Sequence, residues 1–236
     1  MTPGLFITGT DTGVGKTLVA AGLLRLAGTK GWNVVGLKPV ASGARRTPAG
    51  LRNDDALALS AASSARRPYP LTNPYCFEPA IAPHIAAAAE GRPILLEDLL
   101  DWYPRASAGA DLAIVEGAGG WRLPLHPLGF LSDLPEKLAM SVVLVVGLRL
   151  GCLNHARLTL EAIERSGRCP YLGWIGNLVD PSFDCLEANL ATLSRLLGAE
   201  PLAVLPRLAA TDPDRVAGLM NSARLDAALH RLASGR

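Results

Sequence analysis

An α/β fold, with a mostly parallel sheet and helices on both faces, is the architecture this sequence predicts, and three observations predict it. Short apolar runs at Leu5-Phe6-Ile7, Leu112 to Val115 and Val142 to Val146 have the length and composition of buried strands. Ala- and Leu-rich stretches separate the runs, so strands alternate with helices as a parallel sheet requires. The residues able to do chemistry fall just after the strands, where open sheets of this kind hold ligands. The chain has 236 residues, 49% of them hydrophobic, with no internal repeat or composition shift. One domain over residues 1–236 is therefore expected.

Taken in order, Leu5-Phe6-Ile7 is the first strand, and Leu18 to Leu26 the helix that follows it. Trp32 to Leu37 is a second strand, because Val34, Val35 and Leu37 favour extended backbone. From Ala44 to Arg52 the chain turns polar, carries Pro48 and Gly50, and reads as a loop. Asn53-Asp54-Asp55 opens a helix over Ala56 to Ala62, with the acids in its first turn. Arg66 to Pro83 is proline-rich and irregular, with Tyr69, Tyr75 and Phe77 packing it down. Ala86 to Glu90 is a short helix stopped by Gly91, and Glu97 to Arg105 another, weakened by Pro104. The strands at Leu112–Val115 and Val142–Val146 follow. An amphipathic helix then runs to about Ser166, with Asn154 and His155 as its opening caps and Gly167 as its end. Tyr171 to Leu178 is a strand. Asp184 with Glu187 resembles a capping box for a helix over Leu186 to Leu197, which Gly198 ends. Leu202 to Leu205 is the last strand; Asp212-Pro213 caps a short helix, and Ser222 to Leu232 forms the final one.

The bulk properties narrow the partners. A net charge of +2 offers no broad field for nucleic acid or a membrane surface. The Met-Thr-Pro-Gly start lacks a basic segment followed by an apolar one, and no apolar run is long enough to span a bilayer. Cys76, Cys152, Cys169 and Cys185 show no C-x-x-C spacing and read as reduced thiols, so a cytoplasmic location is expected. His84, His126, His155 and His230 lack metal-ligand spacing. Trp32, Trp102, Trp121 and Trp174 read as packing residues.

Between the first strand and its helix lies Gly9-Thr10-Asp11-Thr12-Gly13-Val14-Gly15-Lys16-Thr17. A glycine-rich turn ending in Gly-Lys-Thr, between a strand and a helix, is a phosphate-binding loop, here with five residues between Gly9 and Gly15. Its backbone N–H groups and the helix dipole favour phosphate oxygens, Lys16 reaches the outer phosphates, and the Thr17 hydroxyl suits a magnesium ion. The second strand runs into Lys38-Pro39-Val40-Ala41-Ser42-Gly43, which puts a second lysine beside the first to neutralise a transferring phosphoryl group. Glu116 abuts four apolar residues and precedes Gly117-Ala118-Gly119-Gly120, the place for a magnesium-directed carboxylate. Spacing alone does not choose between Asp54 and Asp55.

These strings, taken in order, resemble the dethiobiotin synthetase family. The match rests on residues 9–17, 38–43 and 51–57, Asn-Pro-Tyr at 73–75, Pro-His-Ile at 83–85, 115–121 and 145–156, and fades after about residue 178. The resemblance implies a phosphate-loop fold and an ATP- and magnesium-dependent ligase that makes dethiobiotin from 7,8-diaminopelargonate and carbon dioxide. An amine takes up carbon dioxide as a carbamate, the carbamate attacks the γ-phosphate, and the second amine closes the ureido ring and expels phosphate. It further implies that Gly13, Val14, Gly15, Lys16, Thr17 and Leu18 serve the nucleotide, together with Gly117, Ala118 and Gly119. Thr17, Asp55 and Glu116 would be the metal side, which selects Asp55 over Asp54. Lys38 would stabilise the carbamate and phosphoryl group, with Thr12 and Ser42 on the diamine. Asn177, Leu205, Pro206 and Arg207 would face adenine. Family members resemble homodimers, so Gly151, Cys152, Leu153 and Asn154 would hold the substrate carboxylate of the neighbouring subunit. Gly13 stands where some members carry Glu, and Arg149 where Lys is also found. The rival readings are a cobyrinate-type amidoligase and a partitioning-type switch ATPase of the ParA/MinD kind. The first calls for a glutaminase domain, and the second for an early lysine that Thr8 to Thr12 lack.

Overall fold

The computed structural model describes residues 1–127, 129–208 and 212–233. β1 (Gly4–Gly9) is buried throughout and leads by a turn into α1 (Lys16–Thr29). β2 (Val34–Leu37) is followed by the short β3 (Val40–Ala41) and a hairpin of β4 (Arg45–Thr47) and β5 (Gly50–Arg52). Next come α2 (Asp54–Ala62), α3 (Tyr69–Thr72), β6 (Tyr75–Cys76), α4 (Pro83–Ala89) and α5 (Leu96–Ser107). β7 (Leu112–Glu116) returns to the sheet, before β8 (Pro124–His126), β9 (Gly129–Phe130) and α6 (Asp133–Lys137). β10 (Ser141–Leu148), α7 (Cys152–Ser166), β11 (Tyr171–Leu178) and α8 (Leu186–Leu196) continue the alternation. The described chain ends in β12 (Ala203–Leu205), α9 (Pro213–Met220) and α10 (Ala223–Ala233).

The main sheet has the order β12-β11-β10-β1-β7-β2, and every pairing in it is parallel. Strand alternation divides its side chains between two layers. Leu5 and Ile7 of β1 join Leu112 and Ile114 of β7 under α1, α9 and α10, whereas Phe6, Ala113 and Val115 face Trp102 and Tyr103 of α5. Leu144, Val146 and Trp174 form a third apolar group with α7 and α8. Leu23 and Leu24 of α1 are fully buried; burying such a side chain contributes about 1.5–3 kcal/mol. Because β1 is central and parallel to β7 and β10, the carboxyl ends of these strands and of β2 share one rim.

Several local expectations are corrected. The polar stretch at 44–52 contains an antiparallel hairpin turning at Pro48 and Ala49, with strands too short to show a two-residue period. The irregular segment at 66–83 contains α3, and its β6 pairs in parallel with β3. Pro104 lies on the exposed face of α5 and does not end it, since the helix continues to Ser107. Asn154 and His155 do not open α7; Gly151 does, at φ 92, and the helix starts at Cys152. The Asp184–Glu187 capping box does not form: the N-cap of α8 is Cys185, at φ 54, without a side-chain cap. The four tryptophans do pack, Trp174 completely.

Gly36 shows how tightly α1 and α2 sit on the sheet. A Cβ there would lie 2.6 Å from Leu24 Cδ1 and 3.0 Å from the Leu59 carbonyl oxygen. Gly36→Ala is expected to cost about 1–3 kcal/mol by urea unfolding. In Gly28→Ala the new Cβ meets nothing within 4 Å, so stability should hold or rise by up to about 1 kcal/mol. Equal effects at the two sites would contradict this packing.

Candidate functional site

Four backbone segments bring the polar residues of the rim together. The register of β2 on β7 pairs Leu37 with Val115, so Lys38 leaves its strand beside Glu116. Asp55 projects from the first turn of α2, whose N-cap Asn53 accepts a hydrogen bond from the Ala56 amide at 3.2 Å. Lys16 and Thr17 begin α1, against the end of β1.

Lys38 is 3% exposed and Glu116 1%. The Lys38 ammonium donates to Glu116 Oε1 at 2.5 Å, Asp55 Oδ2 at 2.9 Å and the Gly117 carbonyl at 3.2 Å. Three protons meet three acceptors, so the buried cation is fully satisfied. Burial alone would lower its pKa, but Glu116 and Asp55 more than offset that and hold it above the ordinary lysine value. Thr17 Oγ1 donates to the same Glu116 oxygen at 2.9 Å, while Glu116 Oε2 is buried without a hydrogen-bond partner. Two carboxylates, one of them with an uncommitted buried oxygen, and a hydroxyl fit a magnesium ion, which takes few protein ligands and completes its shell with water and phosphate.

Lys16 behaves differently. Its ammonium donates to the Asp11 carbonyl at 2.8 Å, across the loop. Burial first, and then repulsion by Lys38, pull its pKa down to about 8. A polyanion would reverse that shift, which marks Lys16 as a group set to receive one. The loop itself is braced. Asp11 accepts from the Thr12 amide at 2.7 Å and from Arg149 at 2.6 Å, and Asn177 Nδ2 donates to the Val14 carbonyl at 2.9 Å. Gly15, at φ 93, is the one residue type that fits, since a Cβ would fall 2.2 Å from Asn177 Nδ2.

Above these groups lies a cleft of about 740 Å³. Thr12, Gly13, Gly15, Lys16, Thr17, Lys38, Ser42, Asp55, Glu116, Ala118 and Gly119 line it, as do Asn53, Ala80 to Pro83 and Leu123. The structure separates the two acids: Asp54 pairs with exposed Arg45 at 2.9 Å, whereas Asp55 faces the cleft. Other residues singled out in the sequence lie elsewhere. The Val14 side chain is core, Leu18 packs against that core, and Gly117 contributes its carbonyl to Lys38. Asn177 backs the loop, Leu205 is buried, and Arg207 donates to the Val179 carbonyl at 2.6 Å. Gly151 to Asn154 form the amino end of α7, beyond β10, with Cys152 buried and the preceding Leu150 92% exposed. The sequence reading gave Asn53 and Ala80 to Pro83 no part in the cleft, although the Pro-His-Ile string at 83–85 marks where that wall ends.

A family model described as AAA domain matches residues 3–215. Several curated relatives named "ATP-dependent dethiobiotin synthetase BioD" are similar along most of their length. That of Chromohalobacter salexigens is 53% identical, covering 89% of this chain and 92% of the relative. Those of Cellvibrio japonicus and Pseudomonas paraeruginosa are each 50% identical; the first covers 89% of this chain and 91% of the relative, the second 91% and 94%. Among solved structures, a ParA family ATPase from Chlorobium tepidum superposes with a TM-score of 0.59 at 16% identity, covering 98% of this chain and all of that one. The septum site-determining protein MinD of Pyrococcus horikoshii, complexed with Mg-ADP, gives 0.54 at 16% identity, covering 100% and 96%. At such identities these structures establish the fold alone.

The Lys38–Glu116 pair sets up a stability test. Lys38→Met strands a buried carboxylate and should cost about 3–5 kcal/mol by urea unfolding of the nucleotide-free protein. Adding Glu116→Gln should recover much of that loss, and simple additivity of the two changes would show that the pair is not coupled.

Proposed function

The chain belongs to the ATP-dependent dethiobiotin synthetase family, and from that premise we propose how its cleft divides the work. The protein is an ATP-dependent ligase of biotin biosynthesis. Its substrates on this reading are 7,8-diaminopelargonate and carbon dioxide or bicarbonate. One amine captures carbon dioxide and releases a proton, giving a carbamate. A carbamate oxygen displaces ADP from the γ-phosphorus, and the second amine attacks the resulting mixed anhydride, closing the ureido ring and expelling phosphate.

Such a sequence needs positioning and charge neutralisation rather than a protein nucleophile. Lys16 and the amides of Gly13 to Thr17 hold the phosphates. Lys38, kept protonated by its two carboxylates, presents a cation to the carbamate and to the phosphoryl group as it transfers. Thr12 and Ser42 contact the diamine, whose hydrocarbon chain lies along Ala80, Ile81 and Leu123. Thr17, Asp55 and Glu116 are the residues that would hold Mg²⁺, which when bound neutralises the charge of the phosphates. With its amide committed to Val14, Asn177 keeps Oδ1 to accept from the adenine amino group, and the 205–207 backbone completes that side. Gly13 puts no side chain into the cleft, so no carboxylate acts there.

The observation that carries this reading is the pair of buried lysines, one neutralised and one not, at the head of a cleft whose far wall is apolar. We further propose one domain, a cytoplasmic location and a homodimer. In the dimer the amino end of α7, beside exposed Leu150, meets the substrate carboxylate in the neighbouring subunit. Among the described residues no helix is long and apolar enough to cross a membrane. The two rival readings gain no specific observation: the switch ATPases share the fold alone.

Incubation with ATP, magnesium, labelled bicarbonate and 7,8-diaminopelargonate tests the reaction. Label should appear in an acid-stable cyclic urea with stoichiometric ADP, and Lys16→Gln should lower the rate by about a hundredfold or more. Absence of labelled urea would reject the reaction, and wild-type turnover by the variant would reject the role of Lys16.

A further inference from the structure

We infer that Tyr69 is a positioning residue for the phosphoryl-transfer wall: its single hydroxyl ties together the segments that carry Lys38, Ser42 and Asp55. The inference rests on the function proposed above for those three residues and on hydrogen bonds that the function leaves unexplained.

The Tyr69 oxygen accepts from the Asn53 backbone amide at 2.7 Å and lies 3.1 Å from Asn73 Oδ1, to which its proton is donated. Burial pushes the Tyr69 pKa well above the ordinary tyrosine value, so this donor persists throughout the working pH range. Cys76 Sγ stands 3.6 Å from the same hydroxyl. Each asparagine passes the constraint on. Asn73 is 2% exposed and gives both amide protons to backbone, one to the Lys38 carbonyl at 2.7 Å and one to that of Tyr75 at 3.1 Å. The Lys38 amide donates in turn to the Thr72 carbonyl at 2.8 Å, so the backbone of residue 38 is gripped on both sides. Asn53, 6% exposed, gives its amide proton to the Ser42 carbonyl at 3.2 Å while its Oδ1 caps α2, which presents Asp55.

The donors and acceptors balance. Asn73 uses both amide protons and its oxygen, and the hydroxyl between the asparagines donates once and accepts once from protein backbone. Replacing that hydroxyl by hydrogen leaves a backbone N–H and an amide oxygen facing each other unpaired. Among the described residues the cluster's hydrogen bonds reach none of residues 9–17, and the phosphate loop is braced separately by Arg149 and Asn177. Its influence should therefore fall on transfer and on metal binding, and not on the nucleotide. Residues that hold ligating groups in place affect metal affinity in this way.

The test compares wild type, Tyr69→Phe and Arg52→Ala; the last removes the guanidinium lying 4.2 Å above the Tyr69 ring but keeps the hydroxyl. Three quantities are measured: kcat and KM for ATP at saturating magnesium, ADP affinity in EDTA, and Mn²⁺ affinity of the ADP-loaded protein by electron paramagnetic resonance. Tyr69→Phe is expected to lower kcat by about tenfold or more and to weaken Mn²⁺ binding by about threefold or more, with ADP affinity in EDTA held within about twofold. Arg52→Ala should match wild type in all three. Unchanged kcat and Mn²⁺ affinity in Tyr69→Phe would overturn the inference, whatever happens to its melting temperature. If Tyr69→Phe does not fold, Asn73→Ala carries the test: the acceptor of the Tyr69 proton and the donor to the Lys38 carbonyl are both gone, and kcat must fall while ADP affinity in EDTA holds. Dethiobiotin formation by wild type in the same assay separates failure of this inference from failure of the proposed reaction.

Discussion

The buried contact between Lys38 and Glu116 is the constraint on which the rest of this site depends. Neither charge is tolerable in the interior alone, and each makes the other acceptable. Their contact requires β2 and β7 to be adjacent, parallel and in register, because only then does the residue after Leu37 emerge beside Glu116. Asp55 and Thr17 join the same cluster, which fixes the start of α2 and the start of α1 relative to the sheet. Four segments spread over a hundred residues are thus held by one set of short polar contacts. The uncommitted Glu116 oxygen within that set is what makes it a receptor as well as a brace.

The cleft has two halves with separate supports. The phosphate loop is fixed from the β10 and β11 side, by Arg149 on Asp11 and Asn177 on Val14. The wall carrying Lys38, Ser42 and Asp55 is fixed from the other side, by α3 and the strand pairing of β3 with β6. The contrast between the lysines follows from this division. Lys38 has its acceptors within the fold, whereas Lys16 has one backbone carbonyl, and burial first and then the like charge of Lys38 lower its pKa. A ligand that brings phosphate oxygens supplies what Lys16 lacks.

Much of the fold was legible in the sequence because buried parallel strands are compositionally plain. Val142 to Val146 and Leu112 to Val115 announce themselves as unbroken apolar runs, and the Gly-Lys-Thr turn lies within a few residues of both elements it joins. What stayed hidden depends on distance or on backbone geometry. The Lys38–Glu116 contact spans 78 positions, and no local pattern signals it. Gly151 caps α7 through its φ and not through a side chain, so the neighbouring Asn154 and His155 drew the cap to the wrong place. The hairpin at 45–52 and the β3–β6 pair are too short to show a period. The polar Tyr69–Asn53–Asn73 cluster joins residues whose separate local roles, an aromatic anchor, a cap and a turn residue, are all ordinary.

A crystal structure with a non-hydrolysable ATP analogue and manganese would show whether the Lys38–Glu116 cluster receives a metal. An anomalous peak is expected among Thr17, Asp55 and Glu116, with Lys38 still beside those carboxylates and facing the terminal phosphate. A metal bound away from Glu116, or a Lys38 turned out of the cleft, would contradict it.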